Sequence, residues 1–135
     1  MSIIELTSDL LTGVEEMDKE HKVLVDMLNS IAELLKDGKR QEAEKVFVNQ
    51  LSWFVEEHLN HEEKFMESIG YPELENHKRL HKVFREEVQK LLPYVKSGSY
   101  KSFSEALAYC WGWLYGHIAK ADKKYGLYAK ERGIL

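Results

Sequence analysis

Between Asp18 and Tyr125 the apolar residues recur at every third or fourth position and never settle into alternation. That period is the helical one, and it is kept through four long segments. The connections are short and carry helix-ending residues: Gly38, the triplet Gly70-Tyr71-Pro72, and Ser97-Gly98-Ser99. Four helices of similar length with short links have one simple way to bury their apolar faces. The chain is predicted to be all-α, an antiparallel up-down-up-down four-helix bundle.

The boundaries follow from caps and stripes. Residues 1–17 read as an extended N-terminal arm, with a turn at Thr12-Gly13. Asp18 is the expected N-cap of a first helix over about 18–37, whose inner stripe is His21, Leu24, Val25, Leu28, Ile31, Ala32 and Leu35. A second helix over about 40–69 carries Phe47, Leu51, Phe54, His58, Glu62 and Phe65. A third, over about 73–97, turns Leu74, His77, His81, Phe84, Val88, Leu91 and Val95 inward, and Pro93 is expected to kink or fray its last turns. The fourth, over about 102–125, buries Phe103, Leu107, Cys110, Leu114, His117, Ile118 and Ala121, and a tail of about ten residues follows.

Composition enters as a set of exclusions. The 135 residues, 44% of them hydrophobic, fit one domain over 1–135 that builds its own core. The net charge is −4 and no basic run occurs, which argues against nucleic acid as a partner. Cys110 is the only cysteine, so no intramolecular disulfide forms, and it reads as a small buried hydrophobe. The first residues show no signal-peptide pattern and no segment reads as a membrane span, so a cytoplasmic location is expected. Tyr71, Tyr94 and Tyr100 are expected at the surface, where they are weak markers of contacts between copies.

Five of the six histidines, His21, His58, His77, His81 and His117, fall inside these stripes. One inward histidine is ordinarily a core residue with its nitrogens satisfied. Five, spread over all four helices, need more buried partners than the stripes offer. A metal centre removes the difficulty, because one site takes several imidazoles. His77 and His81 are four apart and meet one ion from one helix face, and His58 and Glu62 share that spacing. Glu62 among Phe54, Phe65 and Met66 is an acid that needs a partner. His61 and Glu63 lie off the stripe and read as rim or solvated residues. Asp122, five after His117, sits about 140° round an ideal helix from it, so spacing alone makes it a surface residue. A π-bulge would bring it inward.

The stretches GVEEMDKEHKVL (13–24), HLNHEEKFM (58–66), GYPELENHKRLH (70–81) and WLYGHIAKADKKY (113–125) together resemble the hemerythrin family in its single-domain bacteriohemerythrin form. The resemblance implies two non-haem iron ions with an oxo or hydroxo bridge. His77, His81 and His117 would hold one, His21 and His58 the other, and Glu62 and Asp122 would bridge them. Counting six positions on each iron, that set leaves a single vacancy, on the iron with two histidines, which suits end-on dioxygen. Leu24, Leu28, Phe54, Leu59, Trp113 and Leu114 are the candidates for a dry wall round the vacancy, ordinary core packing being the plain alternative for each. Two departures from the family pattern stand at Leu6, where tryptophan is usual, and at Leu59, where phenylalanine is usual.

The function expected from this is reversible dioxygen binding for carriage, storage or delivery, in a binding protein and not an enzyme. The expected partners are dioxygen itself and an oxygen-consuming enzyme or a reductase. Two alternatives stand beside it. One is a di-iron peroxidase or oxidase reducing H2O2 or O2, which the histidine-rich ligand set disfavours. The other is an oxygen- or redox-sensing module, for which the chain lacks an output domain.

Overall fold

The computed structural model describes residues 7–97 and 100–134; of the side chains within these ranges, Asp9 and those of residues 100–102 are left aside. The expectations placed on residues 1–6, Leu6 among them, on Gly98-Ser99 and on the Tyr100 side chain lie outside the described residues. Every regular element among the described residues is a helix, and none is a strand.

After a single 3-10 turn at Ser8–Leu10 come α1 (Glu15–Lys36) and α2 (Arg40–Trp53). A π-turn, Phe54–His58, carries α2 without a break into α3 (Leu59–Ser68). α4 (Leu74–Lys96) follows, then α5 (Tyr100–His117), a second π-turn (Ile118–Asp122) and α6 (Lys123–Glu131). α2 with α3, and α5 with α6, each act as one rod, so four rods make the bundle. His21 near the start of the first rod meets Glu62 near the end of the second, and His81 near the start of the third meets His117 late in the fourth. Successive rods therefore run antiparallel. No described helix is long and apolar enough to cross a membrane.

The rods end where left-handed backbone is available. Gly38 and Gly70 have φ +75° and +66°, and the amides of Lys39 and Tyr71 close back on the carbonyls of Leu34 and Met66. These are Schellman ends, which glycine reaches without steric cost.

Two apolar clusters flank the bundle's polar middle. The larger holds Ile31, Phe47, Leu51, Phe84, Val88, Phe103 and Cys110 among others. The smaller holds Val14, Met17, Met66, Tyr71 and Tyr125. Tyr71 is thus buried, not exposed as the sequence suggested, whereas Tyr94 does face solvent.

Four further expectations need correction. α1 starts at Glu15, with Val14 and not Asp18 before it. Asp18 instead accepts hydrogen bonds from Thr12 N (2.8 Å), Thr12 Oγ1 (2.8 Å) and Gly13 N (3.1 Å), so it fastens the arm. α4 continues through Pro93 to Lys96, because a proline so close to the C-terminus removes only one intrahelical bond. The supposed tail is mostly α6, held by buried Tyr125 and Ala129. Finally, Ala121 is only half-buried and Asp122 takes the inward position. The π-turn inserts one residue and advances the buried face by one.

Candidate metal centre

Both π-turns end on a residue of the site. Each is closed by an i→i+5 bond, from Leu59 N–H to Phe54 O and from Lys123 N–H to Ile118 O. Bonding of that kind stacks residues five apart. His117 and Asp122 therefore share a face, which the ideal-helix angle denied them. His21 comes from α1, His58 from the first π-turn, Glu62 from α3, His77 and His81 from α4, and His117 from α5. All seven side chains are buried.

They converge as two groups of possible ligand atoms: Glu62, His77, His81, His117 and Asp122 in one, and His21, His58 and Glu62 in the other. In the first, His77 Nε2 and His81 Nε2 lie 2.9 and 3.0 Å from His117 Nε2. Three donors about 90° apart round one ion, with metal–nitrogen bonds of about 2.1 Å, are spaced by about 3.0 Å. Asp122 Oδ1 approaches His117 Nε2 to 2.9 Å and His77 Nε2 to 3.0 Å, while its Oδ2 is 3.1 Å from His21 Nε2. Glu62 Oε1 is 3.4 Å from His81 Nε2 and 3.5 Å from His58 Nε2, and its Oε2 is 3.1 Å from His21 Nε2. Each carboxylate thus spans the three-histidine and the two-histidine groups.

The donor set fits a pair of cations. His58 Nε2, Glu62 Oε1 and both oxygens of Asp122 are buried with no aligned hydrogen bond, although imidazole nitrogens stand close by. His21 Nδ1 is a further buried nitrogen without a partner. A buried carboxylate left so costs several kcal/mol, roughly, unless a counter-charge faces it. Burial and the neighbouring Asp122 charge both push the Glu62 pKa up, yet His58, His21 and His81 outweigh them and hold it far below the usual range. Asp122 behaves alike: burial opposes ionisation, and His117, His21 and His77 more than offset it. Burial alone would lower His21 and His81, but the same two carboxylates, with Glu63 in the case of His81, lift them to about 10 and about 9. The cluster therefore favours ionised carboxylates facing positive charge.

Three residues stand behind the site; Glu20 and Tyr125 were not singled out from the sequence, and Glu63 was placed only at the rim or in solvent. Glu20 accepts from His58 Nδ1 at 2.5 Å and from His61 Nδ1 at 2.8 Å. Glu63 accepts from His81 Nδ1 at 2.7 Å and from Arg85 Nη1 at 3.1 Å; of the rim or solvated alternatives it takes the rim one, its side chain 14% exposed. A carboxylate on Nδ1 fixes the tautomer and leaves the Nε2 lone pair facing the centre. His61 stays at the rim as expected, its side chain 43% exposed. Tyr125, fully buried, donates its hydroxyl to Glu62 Oε2 at 2.7 Å. Tyr125 lies three residues after Asp122 on one rod, a usable sequence signal. Glu20 and Glu63 reach their histidines across rods, which local spacing does not reveal.

Of the wall residues, Leu24, Leu28, Phe54, Leu59 and Leu114 are buried in the larger cluster. Phe54 stacks on His58 at 4.9 Å between ring centroids. Trp113 departs from the expectation: it stacks on His117 at 4.3 Å, which puts it against the three-histidine group.

A family profile described as "Hemerythrin HHE cation binding domain" matches residues 12–128. Similar proteins include the "Bacteriohemerythrin" of Clostridium acetobutylicum, 30% identical over 84% of this chain and 91% of its own length. That of Methylococcus capsulatus is 30% identical over 85% of this chain and 87% of its own. That of Stenotrophomonas maltophilia is 27% identical over 93% and 80% respectively.

Proposed function

The chain belongs to the hemerythrin family, and on that premise we propose that it binds dioxygen reversibly at a non-haem di-iron centre. One observation carries the reading: two buried carboxylates, each spanning a group of three imidazoles and a group of two, with four ligand-type atoms lacking any other partner. His77, His81 and His117 would hold one iron, His21 and His58 the other, and Glu62 and Asp122, which face both groups, would be shared between them. Bound there, a ferrous pair would supply the electrons that reversible dioxygen binding requires.

The rest of the chemistry belongs to the chain. Glu20 and Glu63 orient His58 and His81. Tyr125 restrains one oxygen of Glu62. Leu24, Leu28, Phe54, Leu59 and Leu114 keep water from the two-histidine side, which disfavours escape of charged oxygen species. Five imidazoles against two carboxylates is the reverse of the carboxylate-rich balance in ferritin-like di-iron sites, and it suits carriage, storage or delivery better than oxygen activation. In this reading the whole of 1–135 is one cytoplasmic domain. It hands oxygen to an oxygen-consuming enzyme and is re-reduced by a reductase.

The test is made on iron-loaded protein reduced without air. On admitting oxygen a visible charge-transfer band is expected, which disappears under vacuum and returns with air. A band that bleaches irreversibly on first exposure would replace the carrier with a di-iron peroxidase or oxidase.

A further inference from the structure

Of the six histidines in the chain, only His61 lies outside the proposed ligand set. It stands at the rim, yet it is anchored. Its Nδ1 donates to Glu20 Oε2 at 2.8 Å, and the other oxygen of the same carboxylate, Oε1, accepts from His58 Nδ1 at 2.5 Å. His58 and His61 are three residues apart on one rod, so their rings are neighbours on its surface. Glu20 comes from α1, next to His21, and meets them across the gap between rods. One oxygen on each ring fixes the carboxylate plane. Take the outer ring away, and Oε2 is left to the solvent groove that Glu20 lines together with Lys19 and Lys64. Water and those ammonium groups would then compete for the carboxylate. The three-histidine side is built on the same plan. His81 Nδ1 donates to Glu63, and Glu63 is held in turn by Arg85. Each side thus has a proposed ligand, a carboxylate behind it, and a third group that holds the carboxylate: Arg85 on one side, His61 on the other.

We propose that His61 is a positioning residue of the two-histidine metal position: it holds Glu20 on His58 and so keeps His58 Nε2 aimed at that ion. The proposal rests on the reading of the centre as a metal pair. His61 is not itself a ligand there. Its Nδ1 is spent on Glu20, and its Nε2 points to the Glu57 side, 3.8 Å from that carboxylate. A neutral ring with its proton on Nδ1 is enough, so no change of protonation is involved. A carboxylate behind a ligating imidazole fixes the ring's orientation and tautomer, and its loss weakens metal binding. The ion with two imidazoles depends more on the aim of each than the ion with three. Loosening Glu20 is therefore felt at the two-histidine position and not at the other.

The experiment titrates the metal-free protein with cobalt(II) and follows its visible bands, which report each ion as it binds. His61→Leu is expected to weaken one of the two ions by about tenfold or more, in the range typical of losing a group behind a metal ligand, and to leave the other as in wild type. His61→Asn keeps a side-chain N–H donor for Glu20 and restores wild-type binding. Glu20→Gln weakens the same ion. Adding His61→Leu to Glu20→Gln weakens it no further, because His61 acts only through Glu20. Two ions held as tightly by His61→Leu as by wild type would overturn the proposal. So would equal weakening of both ions, no restoration in His61→Asn, or a double variant that loses the full effect of both substitutions, since each gives His61 a role apart from Glu20. The two readings fail separately. If wild type binds fewer than two cobalt ions, the metal pair falls. If wild type binds two and His61→Leu binds both equally well, only the role of His61 falls.

Discussion

Asp122 is the residue on which the site turns, since it faces His77 and His117 with one oxygen and His21 with the other. Asp122→Ala is expected to lower bound iron below two per chain, and metal analysis that still finds two would remove it from the ligand set. Tyr125→Phe takes away only a hydroxyl. Losing a hydrogen bond to a charged acceptor costs about 1.5–3 kcal/mol, so urea melts should show that loss while iron stays bound. The histidines give the metal-free chain a pH signature. His21 and His81 are raised from 6.5 to about 10 and about 9, so their contribution to stability is complete below pH 6.5 and is lost as pH rises through those values. Glu62 and Asp122 are lowered, so theirs is present above their ordinary values of 4.5 and 3.8 and is lost on acidification. Denaturation of the metal-free protein should therefore show greatest stability in mildly acid solution, and iron uptake at neutral pH should release protons. Six of the seven candidate site residues were legible because a histidine or acid inside an apolar stripe is conspicuous. Asp122 was legible only through the family resemblance and not from spacing, because its position depends on backbone geometry that no side-chain spacing encodes.

At the scale of elements, the two π-turns are what a regular reading misses. They cost backbone regularity at Phe54–His58 and Ile118–Asp122 and return two residues aimed at the centre. The arm is a second such feature. Asp18 fastens it, and it runs so close to α6 that a Cβ on Gly126 would stand 1.8 Å from the Thr12 carbonyl oxygen. Gly126→Ala must move the arm or the rod, and a loss of about 1–3 kcal/mol, the usual cost of overpacking, is expected in thermal melts. Stability unchanged by that substitution would mean the arm is not held as described. The helix stripes themselves were readable because burial follows the helical period, and the ends at Gly38 and Gly70 because only glycine turns left there without strain.

Over the whole molecule, core and centre are separable. Phe47 and Phe103 pack at 5.5 Å in the larger cluster, on elements that carry no site residue at that level. Phe47→Ala should cost about 3–5 kcal/mol in a urea melt yet leave two irons per chain. Cys110 is equally remote, and burial pushes its thiol up to about 12, which leaves it inert to thiol reagents in the folded state. Fold class and family resemblance were visible from the four stripes and the ordered histidine motifs. The carboxylates behind His58 and His81 were not, since they are contributed by rods whose rotation about their own axes is settled only by packing. What the account needs above all is that the seven side chains hold two irons close enough to act as one. A Mössbauer spectrum of the iron-loaded, oxidised protein at liquid-helium temperature reads this directly. Two irons per chain in a coupled, diamagnetic pair, seen as quadrupole doublets without magnetic splitting, is the expected result; the split sextets of isolated ferric ions would contradict it.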